Sequence, residues 1–182
     1  GGSDYFSLPI GYVYGYEVYI EDVLFINQFG GDDVSRPQVR DIIMSNNVTR
    51  CGIEKNNGGD FYATLVEKDL KEKGYRCHIT THNAPTNKSK RDRILACQNE
   101  IKGIASESNT YRLYFKSPEK IKGNRQYQEA MNNLFKWNQN PSVQNKQHDD
   151  FPDSLAGLIT NVLGGKTKGV AKSNVTADML GI

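Results

Sequence analysis

Apolar and polar residues alternate along the first 27 positions of the chain, as they do in β-strands that bury one face. The stretch is rich in Val, Ile, Tyr and Phe, and Gly15 supplies a turn residue in its middle. We therefore predict an antiparallel hairpin over roughly residues 5–14 and 17–27.

Beyond the hairpin, the pattern switches repeatedly between the period of a helix and that of a strand. The order β-β-α-β-α-β-α-β-α-α indicates an α/β fold with a helix-covered sheet in a single domain, residues 1–163. The tail, residues 164–182, is rich in Gly and Lys, and we expect it to be flexible. The predicted later strands are 50–54, 75–82 and 110–115, and the predicted helices are 37–47, 59–74, 87–103, 124–138 and 151–163.

Helical spacing also predicts which side chains face the core. In the second helix we expect Phe61, Leu65 and Leu70 to point inward. In the fourth we expect the same of Phe135 and its apolar neighbours. Pro37 is expected in the first turn of the first helix, where a missing N–H costs little.

Bulk composition excludes several classes of protein. The 182 residues suit one well-filled core, and no apolar run approaches the roughly 18 residues of a membrane span. Net charge is only +2, so a polyanionic partner would have to bind a local basic patch. Three cysteines without metal-type spacing indicate reduced thiols and a cytoplasmic protein.

Three carboxylates, Asp149, Asp150 and Asp153, crowd the start of the last helix in "HDDFPDSLAGL". One acidic residue would suffice as a helix cap, and three repel one another unless a cation lies among them. Glu54 ends an apolar strand, and sites in α/β sheets form beyond the carboxyl ends of strands. We therefore expect these carboxylates to bind Mg²⁺ or Mn²⁺, in a pair of ions that could activate water against a phosphodiester. Ordinary capping and a solvated Glu54 are the structural alternatives.

Basic residues gather at the start of the helix predicted over residues 87–103. Such a cluster is typical of a surface that contacts a phosphate backbone, although a solvated helix face has the same composition. The candidate DNA-binding residues are Lys88, Lys90, Arg91 and Arg93.

Three motifs in this order, "IEKNNGG", "NKSKRDRIL" and "HDDFPDSLAGL", resemble the nuclease domain of phage large terminase subunits, and so does the N-terminal segment. The resemblance implies an RNase H-like fold and a two-metal endonuclease that cuts concatemeric viral DNA during genome packaging in the bacterial host. It implies catalytic roles for Glu54, Asp149 and Asp150, with Asp153 and Asp4 as further metal ligands. The implied partners are double-stranded DNA, the packaging ATPase domain, the portal and the small terminase subunit.

The chain departs from the family pattern in one respect. In that family a first metal-binding Asp lies on a strand ahead of the segment that contains Asp4. We expect either that this strand is missing from the sheet or that Asp4 takes over its role. Two alternatives stay open: a noncatalytic module that docks DNA or the portal, and another RNase H-like nuclease such as a junction resolvase.

Overall fold

The computed structural model describes residues 5–27, 32–55, 59–105, 109–137, 148–164 and 174–179. The strands in these ranges are β1 Tyr5–Tyr14, β2 Glu17–Asn27, β3 Arg50–Glu54, β4 His78–His82, β5 Arg112–Phe115 and β6 Asn174–Met179. The α-helices are α1 Asp32–Ser45, α2 Gly59–Glu72, α3 Lys90–Ala96, α4 Gln98–Ile101, α5 Arg125–Lys136 and α6 Asp150–Gly157, and a π-helical turn, Leu158–Val162, continues α6.

The six strands form one mixed sheet in the order β4-β3-β6-β1-β2-β5. The predicted hairpin is confirmed, since β1 and β2 pair antiparallel around a turn in which Gly15 has a φ of +64°. A positive φ costs glycine little, so this residue suits the tight reversal. Strand β5 pairs parallel with β2, and β3 pairs parallel with β4. The chain therefore has a mixed α/β fold.

Hydrophobic clusters lie on both faces of the sheet. Phe6, Leu8 and Ile10 of β1 join one cluster with Ile43 of α1 and Val66 of α2. The cluster on the other face combines residues of β2 with residues of α3, α5 and α6. Strand β1 is buried on both faces for this reason, which is typical of a central strand.

Residues 174–179 differ from the predicted flexible tail, because they form β6 between β1 and β3. Strand β6 pairs antiparallel with β1 and parallel with β3. Without β6, the backbone donors and acceptors along the facing edges of β1 and β3 would lack their sheet partners. The need for a strand at this place comes from β1 and β3, which are far from residues 174–179 in sequence. Local composition therefore did not reveal β6. The other tail residues beyond 164 lie outside the described part of the chain.

Several helix details also differ from the predictions. Helix α1 begins at Asp32, so Pro37 lies inside the helix and not in its first turn. In α2 the buried face contains Tyr62, Val66 and Leu70, whereas Phe61 is 66% exposed. Phe135 of α5 is 76% exposed. Adjacent apolar residues permit more than one rotation of a helix about its axis, and contact with the sheet selects one of them. No described helix is long and apolar enough to cross a membrane.

Candidate functional site

Glu54 lies at the carboxyl end of β3, where the sequence predicted a site. The parallel neighbour β4 ends at the same level, with His82 in register with Glu54. Helix α2 then begins so close to this strand end that a Cβ on Gly59 would lie 1.8 Å from the Glu54 carbonyl oxygen. Only glycine fits there without moving the backbone, so Gly59 helps to determine where Glu54 lies.

Helix α6 brings the acidic residues to the same end of the sheet by docking on β1. The buried hydroxyls of Ser154 and Ser7 are hydrogen-bonded at 2.7 Å. The backbone N–H of Tyr5 donates to Asp150 Oδ2 at 3.1 Å. Both contacts join the first strand of the chain to a helix about 145 residues later.

The acidic residues at the start of α6 are not explained by capping. Asp149 occupies the N-cap position, but its side chain makes no capping hydrogen bond. Asn133 of α5 caps the helix instead. Its Oδ1 accepts a hydrogen bond from the Phe151 N–H, and its Nδ2 donates one to the His148 carbonyl. The carboxylates of Asp149 and Asp150 are thereby left for other partners.

Those partners are basic side chains of α3. Lys90 Nζ lies 3.4 Å from Asp149 Oδ1 and 3.4 Å from Asp150 Oδ1. One turn further along, Arg93 donates two hydrogen bonds to Asp153, with Nε 3.0 Å from Oδ1. An Arg93 terminal nitrogen is also 3.6 Å from Glu54 Oε2. Residues three apart lie on one side of a helix, so α3 and α6 face each other with matched charges.

We call these four carboxylates, Glu54, Asp149, Asp150 and Asp153, the acidic cluster. Two basic residues of α3 link them in pairs: Lys90 contacts Asp149 and Asp150, and Arg93 contacts Asp153 and Glu54.

Burial perturbs the protonation of the acidic cluster. It raises the pKa of Asp153, whose side chain is 1% exposed, to about 6, although Arg93 opposes the shift. Burial also raises the pKa of Asp150, against the influence of the Tyr5 N–H and Lys90. For Lys90 burial lowers the pKa, but the charges of Asp149, Asp150 and Asp153 outweigh it and the net shift is upward. Burial thus favours the neutral forms of Asp150 and Asp153, whereas the neighbouring carboxylates favour the charged form of Lys90.

A cleft of about 170 Å³ opens beside the acidic cluster. Glu54, Arg93 and Asp153 line it together with Lys88, which is exposed. Other lining residues come from α6 and the π-helical turn and include Thr160. A ligand in this cleft would meet carboxylates and basic groups together, as a metal-bound phosphate requires.

The donor chemistry suits Mg²⁺ or Mn²⁺, because both ions prefer carboxylate oxygens. In the part of the chain that the structure describes, however, no three His, Cys, Asp or Glu residues are grouped closely enough to hold a metal ion. Lys90 and Arg93 instead contact the carboxylates at the positions a cation would take. The residue types thus suit a metal ion, but the carboxylates are spaced as ion-pair partners of Lys90 and Arg93.

The remaining candidate residues have separate positions. Arg91 is half-buried on α3, and Asp4 lies outside the described residues. His82, which the sequence predicted only as a structural residue at the end of a strand, has a buried Nε2 without a hydrogen-bond partner among the described residues. Burial and the nearby charge of Arg93 lower its pKa. Only the register of β3 with β4 reveals that His82 is near Glu54.

Comparisons of this chain with protein-family models, with curated proteins and with solved structures found no significant match.

Proposed function

We propose that this protein is a divalent-metal-dependent DNA endonuclease. The observation that carries the proposal is that four carboxylates, from the end of β3 and the start of α6, pair with Lys90 and Arg93 of α3, and that Glu54, Asp153 and Arg93 line a cleft with Lys88. Carboxylates from separate segments are a common means of holding hard cations, and basic residues beside them suit a phosphate substrate.

In this proposal Glu54, Asp149, Asp150 and Asp153 would hold Mg²⁺ or Mn²⁺, with Asp4 as a further candidate ligand. When bound, a pair of such ions supplies an activated water and stabilises the leaving oxygen of a phosphodiester. Lys88, at the mouth of the cleft, would contact the DNA backbone. Contacts to phosphate carry little sequence information, so we expect cleavage to depend weakly on sequence.

The more specific proposal, the family of the nuclease, rests on the resemblance of the sequence motifs. We infer an RNase H-like nuclease domain of a phage large terminase subunit, which would cut concatemeric DNA in the bacterial cytoplasm. Its partners would be the packaging ATPase domain, the portal and the small terminase subunit. A mixed sheet with an antiparallel hairpin beside parallel strands is compatible with this inference.

The test is cleavage of supercoiled plasmid by the purified chain in Mn²⁺, in Mg²⁺ and in EDTA. We expect nicking or linearisation that requires metal and that falls at least about 100-fold in Asp150→Asn and in Glu54→Gln. Asp41→Asn is the matched control, since Asp41 is an exposed acidic residue of α1 paired with its neighbour Arg40. Equal cleavage by the wild type and both site variants would reject the proposal.

One observation favours a second candidate, a noncatalytic module that docks DNA or the portal. Lys90 and Arg93 already pair with every carboxylate of the acidic cluster, as they would in a purely structural network. This candidate predicts no cleavage in either metal, together with DNA binding that weakens when Lys88 is replaced by Met.

A further inference from the structure

We propose that one open face of the sheet binds the same face of a second copy of this chain, so that the protein forms a two-fold dimer. Four exposed tyrosines of β1, β2 and β5 define this surface, which we call the tyrosine patch: Tyr12, Tyr14, Tyr19 and Tyr114. The inference is independent of the proposed function, because α3 and α6, which carry most charged groups of the candidate site, pack on the opposite face of the sheet.

The tyrosine patch lies where the sheet stays open to solvent. Successive residues of a strand face opposite sides of the sheet, and Val13, Val18 and Leu113, the sequence neighbours of patch residues, are buried in the cluster with α3, α5 and α6. The tyrosines therefore face the other side. There α1 and α2 cover the part of β1 that contains Leu8 and Ile10, whereas the tyrosines are between 36% and 67% exposed. Aromatic residues gathered in this way on a surface are typical of a contact with another protein.

The patch is ordered before any partner binds. Tyr12 is in register with Tyr19, and Tyr19 is in register with Tyr114, so three tyrosines form a row across three strands. The rings of Tyr19 and Tyr114 are stacked with their centroids 5.4 Å apart. The Tyr19 hydroxyl also donates a hydrogen bond to Glu17 Oε2 at 2.6 Å. Because these side chains are already held, binding a partner costs less conformational entropy.

Charged side chains beside the tyrosines favour a second copy as the partner. Glu17 of β2 is in register with Arg112 of β5, and Glu17 Oε1 lies 3.8 Å from Arg112 Nη2. Directly after β5, Lys116 Nζ lies 3.1 Å from Glu21 Oε2 of β2. Acidic and basic groups are equal in number here, so the surface has no net charge that would attract a polyanion such as DNA.

The acidic groups lie on β2 and the basic groups lie on or directly after β5, and this separation makes the surface complementary to itself. A two-fold axis that runs along the strands between β2 and β5 places β2 of each copy opposite β5 of the other. Glu17 of each copy then faces Arg112 of the other, and Tyr19 faces Tyr114. Each such contact occurs twice, as in an isologous interface.

The size of the patch indicates how strong the dimer is. At about 200 Å² for a whole tyrosine, the exposed parts of the four tyrosines amount to roughly 350 Å² per copy. A standard stable interface buries about 800 Å² per partner. Even with the partly exposed charged side chains added, we therefore expect a weak dimer that forms and dissociates with protein concentration.

The first test is sedimentation velocity of the purified chain at concentrations from about 1 μM to 1 mM, the range of weak association. We expect the wild type to pass from monomer to dimer, and Tyr114→Ser to dimerise at least about tenfold more weakly. Phe135→Ser is the matched control, because Phe135 is 76% exposed on α5, away from the patch. Circular dichroism checks that the variants are folded.

The second test uses charge reversal and does not depend on removing a tyrosine. Glu17→Arg and Arg112→Glu each place like charges opposite one another in the dimer, so we expect each variant alone to associate at least about tenfold more weakly than the wild type. An equimolar mixture of the two restores both opposite-charge contacts across the interface. We therefore expect the mixture to dimerise more strongly than either variant alone, which no contact within one chain could produce.

Three results would overturn the proposal. The first is a wild type that stays monomeric at every concentration, which would leave the patch to a different partner. The second is a dimer that Tyr114→Ser leaves unchanged, which would show association through another surface. The third is a mixture of Glu17→Arg and Arg112→Glu that associates no better than the separate variants.

Discussion

Replacement of Arg93 by Met tests whether the acidic cluster depends on its basic partners for folding. Asp153 is almost fully buried and receives two hydrogen bonds from Arg93, which also approaches Glu54. Breaking a buried ion pair by removing one partner typically costs about 3–5 kcal/mol, because a buried charge stays uncompensated. We expect a loss of that size in the free energy of unfolding at pH 8.

The loss should depend on pH, because Asp153 can take up a proton. Its pKa in the folded protein is about 6, against an ordinary value of 3.8, so folding favours its protonated form. This contribution to stability is fully present below pH about 4 and disappears as pH rises through 6. The pKa difference corresponds to about 3 kcal/mol. At pH 5 Asp153 is largely protonated and carries no unpaired charge, so Arg93→Met should then cost less than at pH 8.

Urea denaturation followed by circular dichroism at pH 5 and pH 8 measures both values. The control is the double variant Arg93→Met with Asp153→Asn, which removes the buried charge together with its partner and should recover most of the stability lost at pH 8. A loss below about 1 kcal/mol at pH 8, or equal losses at the two pH values, would refute this account of the cluster.

Three other substitutions test the frame that supports the site. Gly59→Ala should cost about 2 kcal/mol or more in urea denaturation and should also reduce Mn²⁺ affinity, because its Cβ meets the Glu54 carbonyl oxygen; unchanged affinity would contradict this role. Tyr127→Phe should cost about 1–3 kcal/mol in thermal unfolding, since the buried hydroxyl donates to the Ile20 carbonyl at 2.6 Å and accepts from the backbone N–H of Lys116, directly after β5. Asn133→Ala should cost about 1 kcal/mol through the lost α6 cap, measured by urea denaturation, and no loss would show that water replaces the cap.

Local pattern was a good guide wherever an element packs on its immediate neighbours. The hairpin and β3 lie where alternation and β-branched residues predicted them. Which face of each helix is buried was harder to predict from the sequence. Phe61 and Phe135 are exposed where helical spacing predicted burial. Both aromatic residues have apolar neighbours in sequence, so the pattern alone did not define one buried face.

For the candidate site, composition predicted the acidic and basic groups but not how they meet. Crowding of Asp149, Asp150 and Asp153 correctly signalled a need for positive charge. The sequence pattern predicts a divalent ion as the source of that charge and predicts contacts of Lys90 and Arg93 with DNA. In the structure these two residues supply the charge, because α3 and α6 pack side by side with matching three-residue spacing.

The sequence by itself determined the residue types available for chemistry and the order of strands and helices up to residue 163, except that the helix predicted over 87–103 is divided into α3 and α4. Only the tertiary structure decided that β6 lies between β1 and β3, that His82 ends level with Glu54, and that Lys90 and Arg93 face the carboxylates. The physical reason is the distance along the chain over which each kind of interaction acts. Periodicity and turn chemistry act over a few residues, whereas sheet edges and buried charges are satisfied by groups that can be more than 100 residues apart.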